Sequence, residues 1–288
     1  MDYPGAEELV NSLQTLGATT HQAADDQDGC SPIFLLGTGW RTGSTLLQRI
    51  LVTDPNVLIW GEPLGEVGLV SGIAEMLNRI SGSPGLEKLF AGDNLTSNQM
   101  ATSWIATLYP PPDDLRTALR SLLDRWLGDP ARTRGFVRWG FKETRLGAAE
   151  AVFLHWLYPN SKFVILSRHP YDCYKSLADS GWHHVYYRRP DIRVDSAAGF
   201  ARHWNRLALS WASLPSGFPC VRLKYENLIS DKVDFRQLES WLGVKLAEDV
   251  ALSAVVGRRA VRAHLSWYES FIIAREAAAG MRALGYSA

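Results

Sequence analysis

The chain has 288 residues, more than a typical domain of about 150 residues, although α/β folds of this length often form one unit. Lysine plus arginine and aspartate plus glutamate number 30 each, so the formal net charge is zero. A chain without an overall positive field does not gather nucleic acid or an anionic membrane surface, so any anion site must be local. The composition therefore favours a small charged ligand over a polymer.

The N-terminal thirty residues are polar and acidic and contain no apolar run of the kind that a signal peptide needs. No later segment is apolar over a length that spans a bilayer. Three cysteines, Cys30, Cys173 and Cys220, lie far apart and offer neither a disulfide framework nor a metal cluster. We therefore expect a soluble protein of the reducing cytoplasm.

Short apolar runs bounded by turn residues predict five buried strands. They are PIFLLG from residue 32, NVLIW from 56, GFVRWGFK from 135, KFVILSR from 162 and PCVRLKY from 219. Helical patterns lie between them, and the clearest has four apolar residues on one face that indicate core packing: Phe200, Trp204, Leu207 and Trp211. This alternation predicts an α/β fold, a single domain with a central, mostly parallel sheet flanked by helices, which binds ligands at the carboxyl ends of its strands.

The chain divides into an arm and a folded domain. Residues 1–30 are expected to form a polar, partly disordered arm, and residues 31–288 the domain. Within the domain, residues 65–134 break the alternation with helical patterns separated by stretches rich in glycine, serine and proline. We interpret them as a helical insertion over the sheet edge that forms a wall of the substrate pocket.

The stretch IFLLGTGWRTGSTLLQRIL, residues 33–51, has the form of a phosphate-binding turn between a strand and a helix. A nucleotide P-loop has a lysine after its last glycine, but here Gly43 is followed directly by Ser44 and Thr45, and the positive charge lies on Arg41 instead. The strand from residue 162 also ends in serine and arginine rather than in the aspartate of a magnesium-nucleotide site. The pattern predicts a phosphate-like ligand and no metal.

The segment GTGWRTGSTLL resembles the 5′-phosphosulfate loop of the sulfotransferases that use 3′-phosphoadenosine 5′-phosphosulfate, whose common form is G-x-x-R-S-G-T-T-L-L. The resemblance implies a P-loop-like sulfotransferase fold in which Arg41, Thr42, Gly43, Ser44 and Thr45 hold the donor. Taken alone, the segment also fits a glycine-rich turn without a ligand.

A second segment, FVILSRHPYDCYKSLADSGW, resembles the motif in which that family grips the 3′-phosphate of the donor. The resemblance implies that Arg168, at a strand end, and Ser176, eight positions later on the following helix, bind this phosphate. The alternative is that Arg168 only caps the end of a strand and that Ser176 is an exposed serine on a helix, without a ligand.

Further along, LKYENLISD is similar to the family's Y-E-D-L segment, which implies that Tyr225 lies near the nucleotide and that Glu226 is structural. The segment GRRAVR, residues 257–262, is either a loose counterpart of the family's R-K-G segment or a set of surface arginines.

The resemblance also implies the residues of the transfer step. Lys142 matches the lysine of the family's K-x-P segment, with Thr144 in the place of the proline, and Arg41 would neutralise the bridging phosphosulfate. Glu62, just after the second strand, is the candidate general base, because some family members use a glutamate there. Its rivals are Glu66 and Glu143, and its alternative role is to pair with an arginine at the sheet end.

The acceptor is not identified by these motifs. The expected reaction moves a sulfuryl group from the donor to a hydroxyl or amine of a small molecule, glycan or lipid, and a non-catalytic binder of adenosine 3′,5′-bisphosphate or a P-loop kinase is the alternative. The segment SGWHHVYYRRPDIR, residues 180–193, is rich in aromatic and imidazole groups and is either a packed loop or a lid over the acceptor. Its wall candidates are Trp182, His183, His184 and Tyr186.

Overall fold

The structure, a computed structural model, describes residues 6–15, 30–65, 67–79, 96–102, 110, 112–180, 194–230, 232–247, 249 and 264–287. Five strands form one sheet: β1 Ile33–Gly37, β2 Val57–Trp60, β3 Arg138–Glu143, β4 Lys162–Ser167 and β5 Cys220–Lys224. Their spatial order is β2-β3-β1-β4-β5, and every pairing is parallel. All five strands therefore fall where the sequence predicts them, and the predicted α/β fold with a central parallel sheet is confirmed.

Helices surround this sheet. Their bounds are α1 Ala6–Thr15, α2 Ser44–Leu51, α3 Leu69–Asn78, α4 Ser97–Thr102, α5 Pro112–Leu123, α6 Asp129–Thr133, α7 Ala148–Leu157, α8 Pro170–Asp179, α9 Ala197–Ala212, α10 Tyr225–Leu228, α11 Phe235–Leu242, α12 Trp267–Glu276 and α13 Ala278–Ala283. A π-helical segment, Asp124–Gly128, joins α5 to α6.

The central strand β1 is buried on both faces, as its unbroken run of apolar residues requires. Phe34 and Leu36 point to a core that contains most of α7, while Ile33 and Leu35 point to a core beneath α2 and α11. A third cluster holds α8, α9, α12 and α13 together. Helices on both faces leave the carboxyl ends of the strands as the open edge, where ligands of such folds bind.

The four predicted core residues on α9 are confirmed, because each is at most 1% exposed: Phe200, Trp204, Leu207 and Trp211. Helix α7 is apolar almost all round, and its residues are correspondingly buried.

Residues 6–15, assigned by the sequence to the polar arm, form helix α1. This helix packs against α7 and α3 and buries Leu9 completely. Ser12 Oγ also donates to the carbonyl of Asn78 at the end of α3, at 3.0 Å. This part of the arm is thus a packed helix, because its apolar face packs against α3 and α7. Between β2 and β3, the described segments of the predicted insertion are mainly helical.

Candidate active site

The loop between β1 and α2 has an unusual backbone. Three of its residues have positive φ angles, Gly39 at 117°, Arg41 at 63° and Gly43 at 88°. Arg41 is one of two non-glycine residues with positive φ in the described part of the chain, and such a conformation costs free energy. Gly43 then caps α2, so the positive end of the helix dipole lies at the loop.

Position 43 accommodates only glycine because of Tyr225. A Cβ atom built on Gly43 would lie 2.2 Å from Cδ2 of the Tyr225 ring. Tyr225 begins α10 directly after β5, so the ends of β1 and β5 contribute to the same site. Tyr225 thus lies against the loop between β1 and α2, and its predicted place near the nucleotide stays a prediction.

Helix α9 supports the loop from the side of the core. The indole of Trp211 donates to the carbonyl of Gly37 at 3.4 Å, and Trp40 stacks on His203 with ring centroids 4.7 Å apart. The amide of Thr38 donates to the carbonyl of Leu166 at 3.0 Å, which ties the loop to β4. These contacts hold the loop in place by its base and by its tip.

Arg168 and Ser176 meet this loop. Arg168 follows β4, and Pro170 begins α8, which places Ser176 about two turns along the helix as the sequence predicts. The Nε of Arg41 donates to Ser176 Oγ at 3.0 Å, and Nη1 of Arg168 donates to the carbonyl of Arg41 at 3.0 Å. The guanidinium of Arg168 also lies 4.3 Å from the centre of the Tyr225 ring. Two motifs 135 residues apart in sequence thus form one cluster.

The remaining donor candidates lie at the start of α2. Thr42 is fully buried, Ser44 is 6% exposed, and Thr45 is exposed. The hydroxyl of Thr42 finds no hydrogen-bond partner among the described residues. This hydroxyl lies close to the end of β1, because a Cβ atom built on Gly37 would lie 3.0 Å from Thr42 Oγ1.

A second cluster of charges lies at the ends of β2 and β3. Glu62 follows β2 and accepts from Nζ of Lys142 on β3 at 2.5 Å. Its other oxygen pairs with Nη2 of Arg145 at 2.6 Å. The side chains of Lys142, Arg145 and Glu62 are 11%, 8% and 25% exposed, so the carboxylate is the most accessible of the three. The structure therefore brings Glu62 and Lys142 together, and it also places Glu62 in the arginine pair that the sequence left open.

Behind this pair lies Glu143. It accepts from the amide of Thr144 at 2.8 Å and from Nη1 of Arg145 at 2.8 Å. Burial raises the pKa of Glu143 to about 7, although the charge of Arg145 acts in the opposite direction. Glu143 is 1% exposed, so its position suits the orientation of Arg145 better than contact with an acceptor.

Sequence reasoning did not single out Arg145 as a site residue. It stands in the quoted WGFKETR segment three positions after Lys142, and the prediction of a sheet-end arginine beside Glu62 was the only available indication. Several candidates lie outside the described residues: Glu66, the wall candidates Trp182, His183, His184 and Tyr186, and the basic segment 257–262.

Two features are absent from the described part of the chain. No helix there is long and apolar enough to cross a bilayer. No group of three or more histidine, cysteine, aspartate or glutamate side chains in the same residues is arranged to hold a metal ion.

A protein-family model described as the sulfotransferase family matches residues 32–248. The match covers well over half of the chain, so the chain belongs to the sulfotransferase family. No curated protein sequence matches it significantly.

Three solved structures are similar to this chain at low identity. The sulfotransferase domain from the Synechococcus PCC 7002 olefin synthase is 18% identical, with 93% of this chain and 100% of that chain covered and a TM-score of 0.45. The sulfotransferase domain from the curacin biosynthetic pathway is 14% identical, with 90% and 98% covered and a TM-score of 0.45. Sulfotransferase STF9 from Mycobacterium avium is 12% identical, with 98% and 85% covered and a TM-score of 0.40. The family assignment rests on the match to the family model.

Proposed function

We propose that this sulfotransferase uses 3′-phosphoadenosine 5′-phosphosulfate as its donor and a hydroxyl or amine of a small molecule, glycan or lipid as its acceptor. The observation that carries the proposal is the joining of the loop to the β4–α8 turn. Arg41 bonds to Ser176, and Arg168 bonds to the carbonyl of Arg41, so both phosphate-binding motifs share one surface. Groups that bind the two ends of one bisphosphate nucleotide need this proximity.

The donor would be held by two sets of groups. The loop from Arg41 to Thr45, at the N-terminus of α2, would bind the 5′-phosphosulfate through its amides and the Arg41 guanidinium. Arg168 and Ser176 would bind the 3′-phosphate, and Tyr225, which packs against Gly43, would lie beside the nucleotide. The donor supplies the sulfuryl group: the acceptor oxygen or nitrogen would form a bond to sulfur as the bond between sulfur and the bridging oxygen breaks, and adenosine 3′,5′-bisphosphate would leave.

Glu62 and Lys142 would divide the charge changes of this step. Glu62 would take the acceptor proton on one of its carboxylate oxygens. Protonation removes the charge with which Lys142 pairs in the resting structure, at 2.5 Å. The ammonium group of Lys142 then becomes available to stabilise negative charge on the leaving oxygen. Arg145 would keep its pairing with Glu143 throughout the step. Its guanidinium group would therefore stay in place beside Glu62.

The direct test uses the whole chain with donor and with adenosine 3′,5′-bisphosphate. We expect the bisphosphate to raise the melting temperature in the presence of EDTA, because it binds only the folded state. We also expect a metabolite extract incubated with the donor to yield a sulfated product and the bisphosphate in equal amounts, detected by mass spectrometry. A shift in melting without any product would identify a non-catalytic binder, and turnover of magnesium-ATP would identify a kinase.

The site of action that we propose is the cytoplasm. The support is the chain's free cysteines: Cys30 is exposed, Cys173 is buried and Cys220 is partly buried. Unpaired cysteines are typical of reducing compartments. Alkylation of the protein in intact cells, followed by mass spectrometry, would test whether Cys30 is a thiol there.

A further inference from the structure

The C-terminal tail, residues 285–287, lies against the strand end that carries Arg168. Tyr286 is its central residue, and its ring packs edge-on to His169 and Trp204, with centroid distances of 5.4 and 6.2 Å. The backbone on either side is also fixed. Nζ of Lys224 donates to the carbonyl of Gly285 at 2.6 Å, and the His169 ring bonds to the carbonyl of Ser287 at 3.0 Å.

The Tyr286 hydroxyl joins two groups. It donates to Glu226 Oε2 at 3.1 Å, and it lies 3.0 Å from Ser167 Oγ. A phenol has one proton and an ionised carboxylate only accepts, so the proton of the phenol goes to Glu226 and its oxygen accepts from Ser167. Burial raises the pKa of the Tyr286 phenol, so it stays protonated and able to donate.

These bonds reach both neighbours of Arg168 in the chain. Ser167 precedes it and is bonded to the phenol directly. His169 follows it, and its amide donates to the other oxygen of Glu226 at 2.8 Å. The Tyr286 hydroxyl is therefore linked to the side chain of Ser167 directly and to the backbone of His169 through Glu226, at the point where β4 ends and α8 begins.

We propose that Tyr286, with Glu226, is a positioning residue for the donor site: the tail holds the β4–α8 turn so that Arg168 is directed at the 3′-phosphate. This inference rests on the proposed function, since it assumes that the donor carries that phosphate. The guanidinium group of Arg168 makes two contacts, with the Arg41 carbonyl and with the Tyr225 ring. Both contacts depend on where the backbone of Arg168 lies. A preorganised arginine binds a phosphate more tightly because less side-chain freedom is lost on binding.

The decisive variant is Tyr286→Phe, which keeps the ring and removes both hydrogen bonds. Binding of adenosine 3′,5′-bisphosphate and of adenosine 5′-monophosphate is measured by titration calorimetry. We expect the bisphosphate to bind about five- to twentyfold more weakly and the monophosphate to bind as it does to the wild type. In an Arg168→Ala background the same change should have no further effect, because the two residues act through one contact.

The matched control is Tyr171→Phe. Its hydroxyl also joins α8 to the C-terminal region, with a bond to the Ser270 carbonyl at 3.1 Å, but it is not bonded to either neighbour of Arg168. We expect nucleotide binding by this variant to match the wild type. Lys224→Met is a second route, because it loosens the tail at Gly285 while it leaves the Tyr286 hydroxyl intact. It should weaken bisphosphate binding by about two- to fivefold.

The outcomes separate the two proposals. Unchanged bisphosphate binding by both Tyr286→Phe and Lys224→Met would overturn the role of the tail and leave the proposed function standing. Equal losses for the two nucleotides would also overturn it, because the tail would then support the fold and not the 3′-phosphate contact. Failure of the wild-type protein to bind the bisphosphate would instead defeat the proposed function.

Discussion

The basic side chains in the two halves of the sheet's carboxyl edge have different hydrogen-bond partners. On the donor side, at the ends of β1, β4 and β5, Arg41 bonds to a serine hydroxyl and Arg168 to a backbone carbonyl. On the transfer side, at the ends of β2 and β3, Lys142 and Arg145 bond to the carboxylate of Glu62. Neutral partners leave the guanidinium charge in place, whereas a carboxylate partner cancels it.

This difference in partners indicates that the two regions have different roles. Arg168, whose described hydrogen bond is to a neutral carbonyl, is suited to bind an anion in the resting state. A surface whose charges are paired is suited to respond when one partner changes protonation. The comparison therefore predicts that substitutions on the donor side change affinity for the nucleotide and that substitutions on the transfer side change turnover.

The largest effect should follow from Glu62→Gln. The amide keeps the size of the side chain but has no basic oxygen, so turnover should fall by about 10²- to 10⁴-fold while donor binding is retained. The measurements are kcat with saturating donor and a titration with the bisphosphate. Near-normal turnover would place the base elsewhere and would break the division between the two sides.

The control for Glu62→Gln is Glu75→Gln, which removes a carboxylate that pairs with Arg79 at 2.7 Å on the surface of α3. Surface ion pairs contribute little to stability, so this variant should melt near the wild-type temperature. A joint loss of stability and turnover in Glu62→Gln would identify Glu62 as a structural partner of Lys142 and Arg145.

Gly43→Ala should have the next largest functional effect, on binding and not on turnover. The alanine Cβ would meet the Tyr225 ring at 2.2 Å, so the loop or the ring must move. We expect nucleotide affinity to fall by about 100-fold, since the strain and the lost loop geometry together exceed roughly 2–3 kcal/mol. Calorimetric titration would measure it.

Gly135→Ala is the matched control for this change. Its φ of 89° is nearly that of Gly43, at 88°, but an added Cβ would meet nothing within 4 Å. Both variants should therefore lose stability from the left-handed backbone, Gly43→Ala more because of its contact with Tyr225, and only Gly43→Ala should lose affinity. Similar affinities for the two variants would show that the Tyr225 contact does not shape the donor loop.

Arg168→Ala and Ser176→Ala should give smaller and graded losses. Removal of the charged group should cost about 1.5–3 kcal/mol in bisphosphate binding, and removal of the neutral hydroxyl about 1 kcal/mol. The affinity for adenosine 5′-monophosphate should hardly change. Ser213→Ala, at the end of α9, is the control, because its exposed hydroxyl donates to the nearby Ser210 carbonyl at 2.8 Å. Losses that do not distinguish the two nucleotides would assign Arg168 and Ser176 to the fold.

The places of the loop, Arg168 and Ser176 in the fold could be predicted from the sequence because they depend on local spacing. The loop from Gly37 to Thr45 is continuous, and Arg168 and Ser176 are fixed relative to each other by one helix. Apolar runs similarly locate all five strands, because burial on both faces requires them. What these patterns do not contain is the pairing of side chains from distant segments.

The transfer side and the tail show that limit. Arg145 faces Glu62 across two strands, and Tyr286 is 119 residues from Ser167. Helix α1 is a similar case, since Glu7 to Leu16 shows only weak periodicity, and its helix is stabilised by the contact of Leu9 with α7. These contacts join segments that are far apart in sequence. They depend on the tertiary fold, so local sequence patterns do not predict them.

The smallest predicted effect concerns the pH dependence of stability, through Glu143 behind the transfer side. Burial raises its pKa from the ordinary 4.5 to about 7, so between these values the folded protein keeps a proton that the unfolded chain has lost. The stabilising contribution is therefore complete below pH 4.5 and is lost as the pH rises towards 7. The melting temperature of the wild type should fall relative to Glu143→Gln by about 2 °C per pH unit across this window. The negative charge of Glu62 also raises the pKa of Glu143, so in a Glu62→Gln background the fall should end at a lower pH. A difference that instead grows with pH would mean that Glu143 is charged throughout and that its pair with Arg145 outweighs its burial.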